Sequence, residues 1–249
     1  MNLERLDLNQ AIVSGKIYKI WSRRDGNVYL RIDNQKKERV TIILPDGQVD
    51  GHDVSLKKGD LLQVEGYLKD FAYEDSLSQY FSRSGRKNYL KELPPLRELI
   101  ASGAGVERYM MAVVPKSLTI SDTETENTVK VEGIVISKWH FGENYCIRML
   151  VFDENAPIET VKENGGVHRS PRSIIAILPE TLFKQVQIRQ RIRIGGSFTE
   201  RIYHERLKRA LEAMKQQDVA AQVPQEVLAF TVSMVQMYIN VKSMIAYTR

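Results

Sequence analysis

The sequence predicts an all-β protein with minor helices, built as two tandem five-stranded barrels. Three observations carry that expectation. The two halves of the 249-residue chain resemble each other, every matched block alternates apolar and polar residues at period two, and each half is interrupted before its last strand.

The elements follow in order. Val13-Ser14-Gly15-Lys16-Ile17-Tyr18-Lys19-Ile20-Trp21 is echoed by Val131-Glu132-Gly133-Ile134-Val135-Ile136-Ser137-Lys138-Trp139, and each ends in a polar turn, Arg23 to Asn27 or Gly142 to Asn144. Two alternating runs come next, Val28 to Asp33 and Tyr145 to Asp153. Ile42-Ile43-Leu44-Pro45-Asp46 then matches Ala176-Ile177-Leu178-Pro179-Glu180, and Leu61 to Leu68 matches Arg191 to Phe198. In the first copy Val28, Leu30, Ile32, Val40, Ile42, Leu44, Leu62, Val64 and Leu68 form the core face. Tyr29, Arg31, Asp33, Arg39, Tyr67 and Lys69 alternate with them on the other.

Turn or short-helix segments, Gln48 to Lys58 and Glu180 to Gln187, join the third and fourth strands. Fifth strands are expected at Arg108 to Ile120 and within Val227 to Tyr247, after insertions at about 71–107 and 199–225. Three strands, a helical connection and two strands is the element order of the OB-fold, a five-stranded Greek-key barrel whose outer face and loops bind oligonucleotides. The expected domains are 1–121 and 127–249.

Composition excludes several classes. Lys plus Arg is 36 against 31 Asp plus Glu, a net charge of +5, with 43% hydrophobic and 27% charged residues. That is a globular composition, not a disordered tail or a coiled coil. The single cysteine, Cys146, rules out an internal disulfide and a cysteine-rich zinc cage. Met1 to Gln10 lacks a signal-peptide apolar run, and no long uncharged apolar stretch occurs, so the expectation is a cytoplasmic or nucleoid protein with no membrane partner.

The run Lys57-Lys58-Gly59-Asp60-Leu61-Leu62-Gln63-Val64-Glu65-Gly66-Tyr67-Leu68 resembles the fourth-strand signature of bacterial single-stranded DNA-binding proteins. Glu107-Arg108-Tyr109 resembles that family's entry into its fifth strand, and Val13-Ser14-Gly15 its first strand with a glycine at the bend. The resemblance covers most of Asn9 to Ser121 and, more faintly, Thr128 to Arg249. It implies non-catalytic binding of single-stranded DNA with little sequence preference, in replication, recombination or repair. Two features depart from the family: the chain ends Met244-Ile245-Ala246-Tyr247-Thr248-Arg249 without an acidic tip, and the loop before the fifth strand is enlarged in both halves.

Single strands are held by aromatic rings that stack on bases and by cations along the phosphates. The residues that supply this mixture in the first half are Trp21 with Arg23 and Arg24 at a strand-to-turn corner, and Tyr29, Arg31, Arg39, Tyr67 and Lys69. The alternative is that Trp21 only anchors a barrel end. In the second half the corner is Lys138-Trp139-His140-Phe141, with Arg148, Arg191, Arg193 and Arg201 at alternate positions of strands; its alternative is a Trp139 inside the core.

Thr181 to Lys215 holds nine Lys or Arg against three Glu, whereas Ser121 to Gly165 holds nine acids against four bases, so the basic charge is concentrated. Part of the basic stretch, Arg201 to Gln217, reads as a helix with Tyr203, Leu207, Ala210, Leu211 and Met214 inward and Arg206, Lys208, Arg209 and Lys215 outward. Tyr80 to Tyr89 reads as a flexible basic loop in which Arg86 and Lys87 would clamp a strand. Pro94-Pro95 opens a short helix through Ala101, closed by Gly103.

His52, His140, His168 and His204 show no metal-ligand spacing, and no phosphate-binding loop, nucleophile elbow or zinc-helix motif is present. The expectation is therefore no enzyme and no cofactor or metal. A structural OB-fold subunit of a larger nucleoprotein complex, with one barrel docking protein, is the alternative; RNA is a second candidate ligand. A homo-oligomer and protein partners in a replication or recombination complex complete the expectations.

Overall fold

The computed structural model describes residues 6–22, 26–49, 52–53, 55–84, 92–124, 127–161 and 167–247. The first copy comprises β1 (Asn9–Ser22), β2 (Val28–Asp33), β3 (Arg39–Leu44), β4 (Gln48–Val49), β5 (His52–Asp53), β6 (Leu61–Ser76), α1 (Leu77–Ser84), α2 (Pro94–Ala101) and β7 (Gly105–Ile120). The second comprises β8 (Thr128–Phe141), β9 (Asn144–Val151), β10 (Ile158–Val161), β11 (Val167–Arg169), β12 (Arg172–Leu178), α3 (Glu180–Gln185), β13 (Arg191–Arg206), α4 (Leu207–Ala213), α5 (Gln217–Gln222), α6 (Gln225–Leu228) and β14 (Thr231–Ala246).

Strand order in the main sheet is β13-β14-β12-β9-β8-β1-β2-β3-β7-β6, with β6 also pairing β1 and β13 also pairing β8. Each copy therefore closes on itself as a five-stranded barrel with strand order 1-2-3-5-4. The pairs β3 with β7 and β12 with β14 are parallel, with Ile42 opposite Val113 and Ala176 opposite Ile239. The chain is two tandem OB-folds, each enlarged before the fifth strand, and the pairings β1 with β6 and β8 with β13 close the two barrels.

The duplication extends to individual hydrogen bonds. Asn9 donates to Leu68 O at 2.8 Å and accepts from Leu68 N at 3.0 Å; Asn127 does the same to Phe198, at 2.5 and 3.3 Å. Each copy breaks register at the same point of its first strand, after Ile17 and after Val135. A Cβ on Gly66 would come within 2.0 Å of Val114 O, and one on Gly196 within 2.1 Å of Asn240 O, so both barrels need a bare backbone where the fourth strand passes the fifth. The copies meet through equivalent strands. Asn9 lies opposite Val131 and Ala11 opposite Val129, an antiparallel pairing symmetric about Ala11 and Val129.

Two compact units divide the chain: 1–70, 111–200 and 237–249 form one, 71–110 and 201–236 the other. The first holds both barrels, whose cores include Val13, Leu30, Ile42, Val64 and Val113 and then Val131, Ile147, Ala176, Ile194 and Ile239. The second is made of both insertions. Leu77, Tyr80, Phe81, Leu96, Leu99 and Val106 share one apolar core with Leu207, Ala210, Leu211, Val223, Val227 and Val232. Insertion belongs to the repeat too: Leu77 N donates to Ala104 O and Leu207 N to Phe230 O, each at the start of the first inserted helix. One cation serves both copies here, since Arg108 Nε is 3.1 Å from Asp75 and its Nη2 2.5 Å from Glu205.

Several local expectations change. Residues Arg201 to Arg206 continue strand β13 rather than opening a helix, because Tyr203 and the buried Glu205 alternate with exposed Ile202, His204 and Arg206; helical spacing begins at Leu207. Tyr80 to Ser84, expected as loop, lies in α1, where Leu77, Tyr80 and Phe81 make one buried stripe; Arg86 and Lys87 lie outside the described residues. In Gln48 to Lys58, expected as turn or short helix, the described residues form the β4–β5 hairpin after a 3₁₀ turn, Pro45–Gly47. The β10–β11 hairpin adds to the expected strands of the second copy. The Pro94 helix ends as expected, with Gly103 at φ +75°.

Candidate nucleic-acid interface

The first candidate surface is the outer face of β1, β2 and β3. Period-two alternation buries Leu30 and Ile32 and leaves Arg31 and Arg39 facing outward, with Arg31 opposite Lys19 on β1 and Thr41 on β3. Trp21 is half-buried and stacks on Tyr29 at 5.4 Å between ring centroids and 17° between planes. Tyr29 itself is buried, so it supports the indole and gives no face to a base. Lys19 Nζ sits 5.0 Å above the Trp21 ring. Arg23 and Arg24 lie outside the described residues.

The centre of this face is an ion cluster. Arg31 Nη2 is 2.5 Å and Arg39 Nη1 3.3 Å from the carboxylate of Glu200, which arrives from β13 of the other copy. Arg39 also approaches Asp33 at 3.6 Å and covers the Tyr18 ring at 5.5 Å. Glu200 and the neighbouring Tyr18 raise the pKa of Arg39, while burial raises that of Tyr18 despite Arg31 beside it. Lys19, Tyr18 and Glu200 were not among the sequence candidates. Lys19 could have been found, since it precedes Trp21 by two residues on one strand face; Glu200, distant in sequence, could not.

Tyr67 and Lys69 lie elsewhere, beside the buried Arg172–Asp153 pair at 3.0 Å. The Arg172 guanidinium covers the Tyr67 ring at 4.9 Å. Burial, with Arg172 nearby, lowers the pKa of Lys69, and burial raises that of Tyr67.

The second surface is the equivalent face of β8, β9 and β12. Trp139, equivalent to Trp21, is half-buried and lies across from Cys146 where the first copy has Tyr29. Arg148, equivalent to Arg31, is exposed and reaches over the Trp139 ring at 5.9 Å. Phe141, at the turn, is 44% exposed. Lys138 is not on this surface: its Nζ donates to Phe183 O at 2.9 Å and Val186 O at 2.5 Å, closing the C-terminal end of α3. Phe183, His140 and Tyr145 form a ring cluster there, with centroids 4.8–5.2 Å apart.

Arg191 and Arg193 lie on β13, the fourth strand, away from the first-to-third-strand face. Arg193 Nη2 is 2.8 Å from the buried Glu132, Arg191 binds the buried Asp7, and the Tyr247 hydroxyl donates to Glu132 at 2.9 Å. Burial raises the pKa of Asp7 against the pull of Phe152 N and Arg191. Arg201 belongs to the unit of insertions. The geometry thus gathers Trp21, Arg31 and Arg39 on one face and Trp139, Arg148 and Phe141 on the other, and assigns Lys138, Arg191 and Arg193 to internal contacts. Among the described residues no group of three or more His, Cys, Asp or Glu could hold a metal ion, and no helix is long and apolar enough to cross a membrane.

No family model matches the chain, and no curated protein matches it. Among solved structures it is similar to the wild-type single-stranded DNA-binding protein from Thermus aquaticus, with a TM-score of 0.51 at 12% identity over 98% of this chain and 95% of that one. A deletion mutant of the same Thermus protein gives 0.50 at 11%, over 98% and 96%. At this identity the likeness is one of fold, and it extends over 98% of the chain.

Proposed function

We propose that this protein binds single-stranded DNA with little sequence preference, without catalysis, through the outer faces of its two barrels, 1–121 and 127–249. The observation that carries the reading is that a half-buried tryptophan at the equivalent position of each first strand is covered by a cation of its own copy, Trp21 by Lys19 from the same strand and Trp139 by Arg148 from the next. When a strand binds, the cation leaves the ring for a phosphate and the uncovered ring takes a base, and each such stack is worth about 1–3 kcal/mol per base. The full-length likeness of fold to the Thermus protein supports the same ligand. In this reading the protein acts in replication, recombination or repair, in the cytoplasm or nucleoid, as a homo-oligomer.

The test is tryptophan emission during titration with oligothymidylate at several salt concentrations. The expected result is quenching, with log affinity falling against log salt at a slope of about −0.7 per phosphate neutralised. Absence of binding at low salt overturns the reading. Equal affinity for duplex DNA reduces it to a general charge effect, and tighter binding of oligouridylate redirects it to RNA.

A further inference from the structure

We propose that Glu200 is an internal stand-in for a nucleic-acid phosphate: it occupies Arg31 and Arg39, so the first face takes up a strand only by exchanging this carboxylate, and the second face loads first. The proposal rests on the single-stranded DNA reading above.

A carboxylate and a phosphate present the same paired-oxygen edge to a guanidinium, so they compete for the same donors. Glu200 is well placed to compete, since its side chain is only 9% exposed and lies between Arg31, 20% exposed, and Arg39, 46% exposed. Yet the internal pairing is incompletely satisfied. Arg31 Nε, Asp33 Oδ1 and Glu200 Oε2 are buried without an aligned hydrogen-bond partner among the described residues, although Glu200 Oε2 is in ion-pair contact with Arg31. Such atoms hold a desolvation cost that a better-aligned ligand relieves.

The repeat contains its own control. Asp70 occupies in the first copy the place of Glu200 in the second, and it accepts from the backbone N–H of Ser173, the residue equivalent to Arg39, at 3.4 Å. With serine there, Asp70 has no guanidinium to capture. Arg148 has no carboxylate within ion-pair distance among the described residues and is committed only to the face of Trp139. One face is occupied by its own chain, and the other is open.

The experiment is fluorescence anisotropy of labelled oligothymidylate across a salt series, for the wild type, Glu200→Gln and Asp70→Asn. Glu200→Gln is expected to tighten binding about tenfold at low salt and to steepen the salt slope by about 0.7–1.4, one or two more phosphates neutralised. Asp70→Asn is expected to stay within about twofold of wild type. Binding by the wild type with no gain in Glu200→Gln, or an equal gain in both variants, overturns the proposal and leaves the function intact. No binding by any of the three overturns the function itself. Should Glu200→Gln fail to fold, Glu200→Asp, which withdraws the carboxylate by one methylene, is expected to give a smaller gain, and none would overturn the proposal.

Discussion

The Trp21 corner and the Trp139 corner started as the same structure and have diverged in what lies behind and beside the ring. Tyr29 stacks beneath Trp21, where Trp139 has Cys146 across the strand pair. Arg31 and Arg39 of the first face are held by a glutamate from the other copy, whereas Arg148, the equivalent of Arg31, lies over the indole of Trp139. The scaffold, by contrast, stays the same to single hydrogen bonds. The comparison separates residues that make the barrel, which are equal in both copies, from residues that tune a surface, which are not.

The largest effects should fall where the copies are identical. Ala at Gly66 or Gly196 would push a Cβ to 2.0 or 2.1 Å from a backbone oxygen of the fifth strand, and no flexible side chain can yield. Each is expected to cost about 3 kcal/mol in urea denaturation, near the upper end of overpacking costs. Equal losses would confirm two equivalent barrels. A loss at one position only would show that the copies have diverged in the scaffold as well.

Next comes the asparagine clamp. Asn127→Ala strands the buried N–H and C=O of Phe198, and about 2 kcal/mol is expected. Asn9→Ala strands those of the equally buried Leu68 and also takes a donor from the buried Asp153 carboxylate, so a loss at least as large is expected, read as a shift in thermal midpoint. A clearly smaller loss at Asn9, whose own side chain is half-buried, would show that water fills the gap.

The faces should then differ in affinity rather than stability. Trp139→Ala is expected to cost about 2 kcal/mol, some 30-fold in oligothymidylate affinity, and Trp21→Ala about 1 kcal/mol. The inequality follows from Glu200 on the first face. Equal losses in the wild type, unchanged when Glu200→Gln is added, would remove the distinction between the faces.

The scaffold was legible in the sequence because its determinants are local: alternation, the paired glycines, and a tandem match that four blocks repeat in order. The face was only half legible. Alternation put Arg31, Arg39 and Arg148 outside correctly, but alternation cannot tell one outward side from another. Arg193 lies opposite Glu132 on the neighbouring strand, at the position where the first copy pairs Gln63 with Ser14. The ion pair therefore replaces a neutral pair at the junction of the copies. Such a contact requires knowing which strands adjoin, as does the capture of Arg31 and Arg39 by Glu200. The insertions hid for the same reason: each carries half of one core, and neither segment alone tells which partner covers its apolar face. Arg201 to Arg206 fits a helix and a strand equally well by spacing, and pairing with β14 decided it.

The smallest expected effect tests the same divergence inside the scaffold. The turn before the fourth strand is built identically: Gly59 N donates to Ile17 O, Arg189 N to Val135 O, and the first turn residue, Lys57 or Gln187, donates its backbone N–H to the side chain of Asp60 or Gln190. At the third position the backbone is left-handed in both, φ +100° at Gly59 and +67° at Arg189. Glycine takes that conformation without strain, whereas a side chain costs about 1 kcal/mol. Arg189→Gly relieves that strain, but glycine also loosens the unfolded chain by about 0.5 kcal/mol, so a net stabilisation of about 0.5 kcal/mol is expected. Gly59→Ala adds strain that the stiffer unfolded chain only partly offsets, at a torsion further from the left-handed minimum, and is expected to cost about 1 kcal/mol. Stabilisation by Gly59→Ala would mean that the two turns, alike in hydrogen bonds, are not alike in backbone strain.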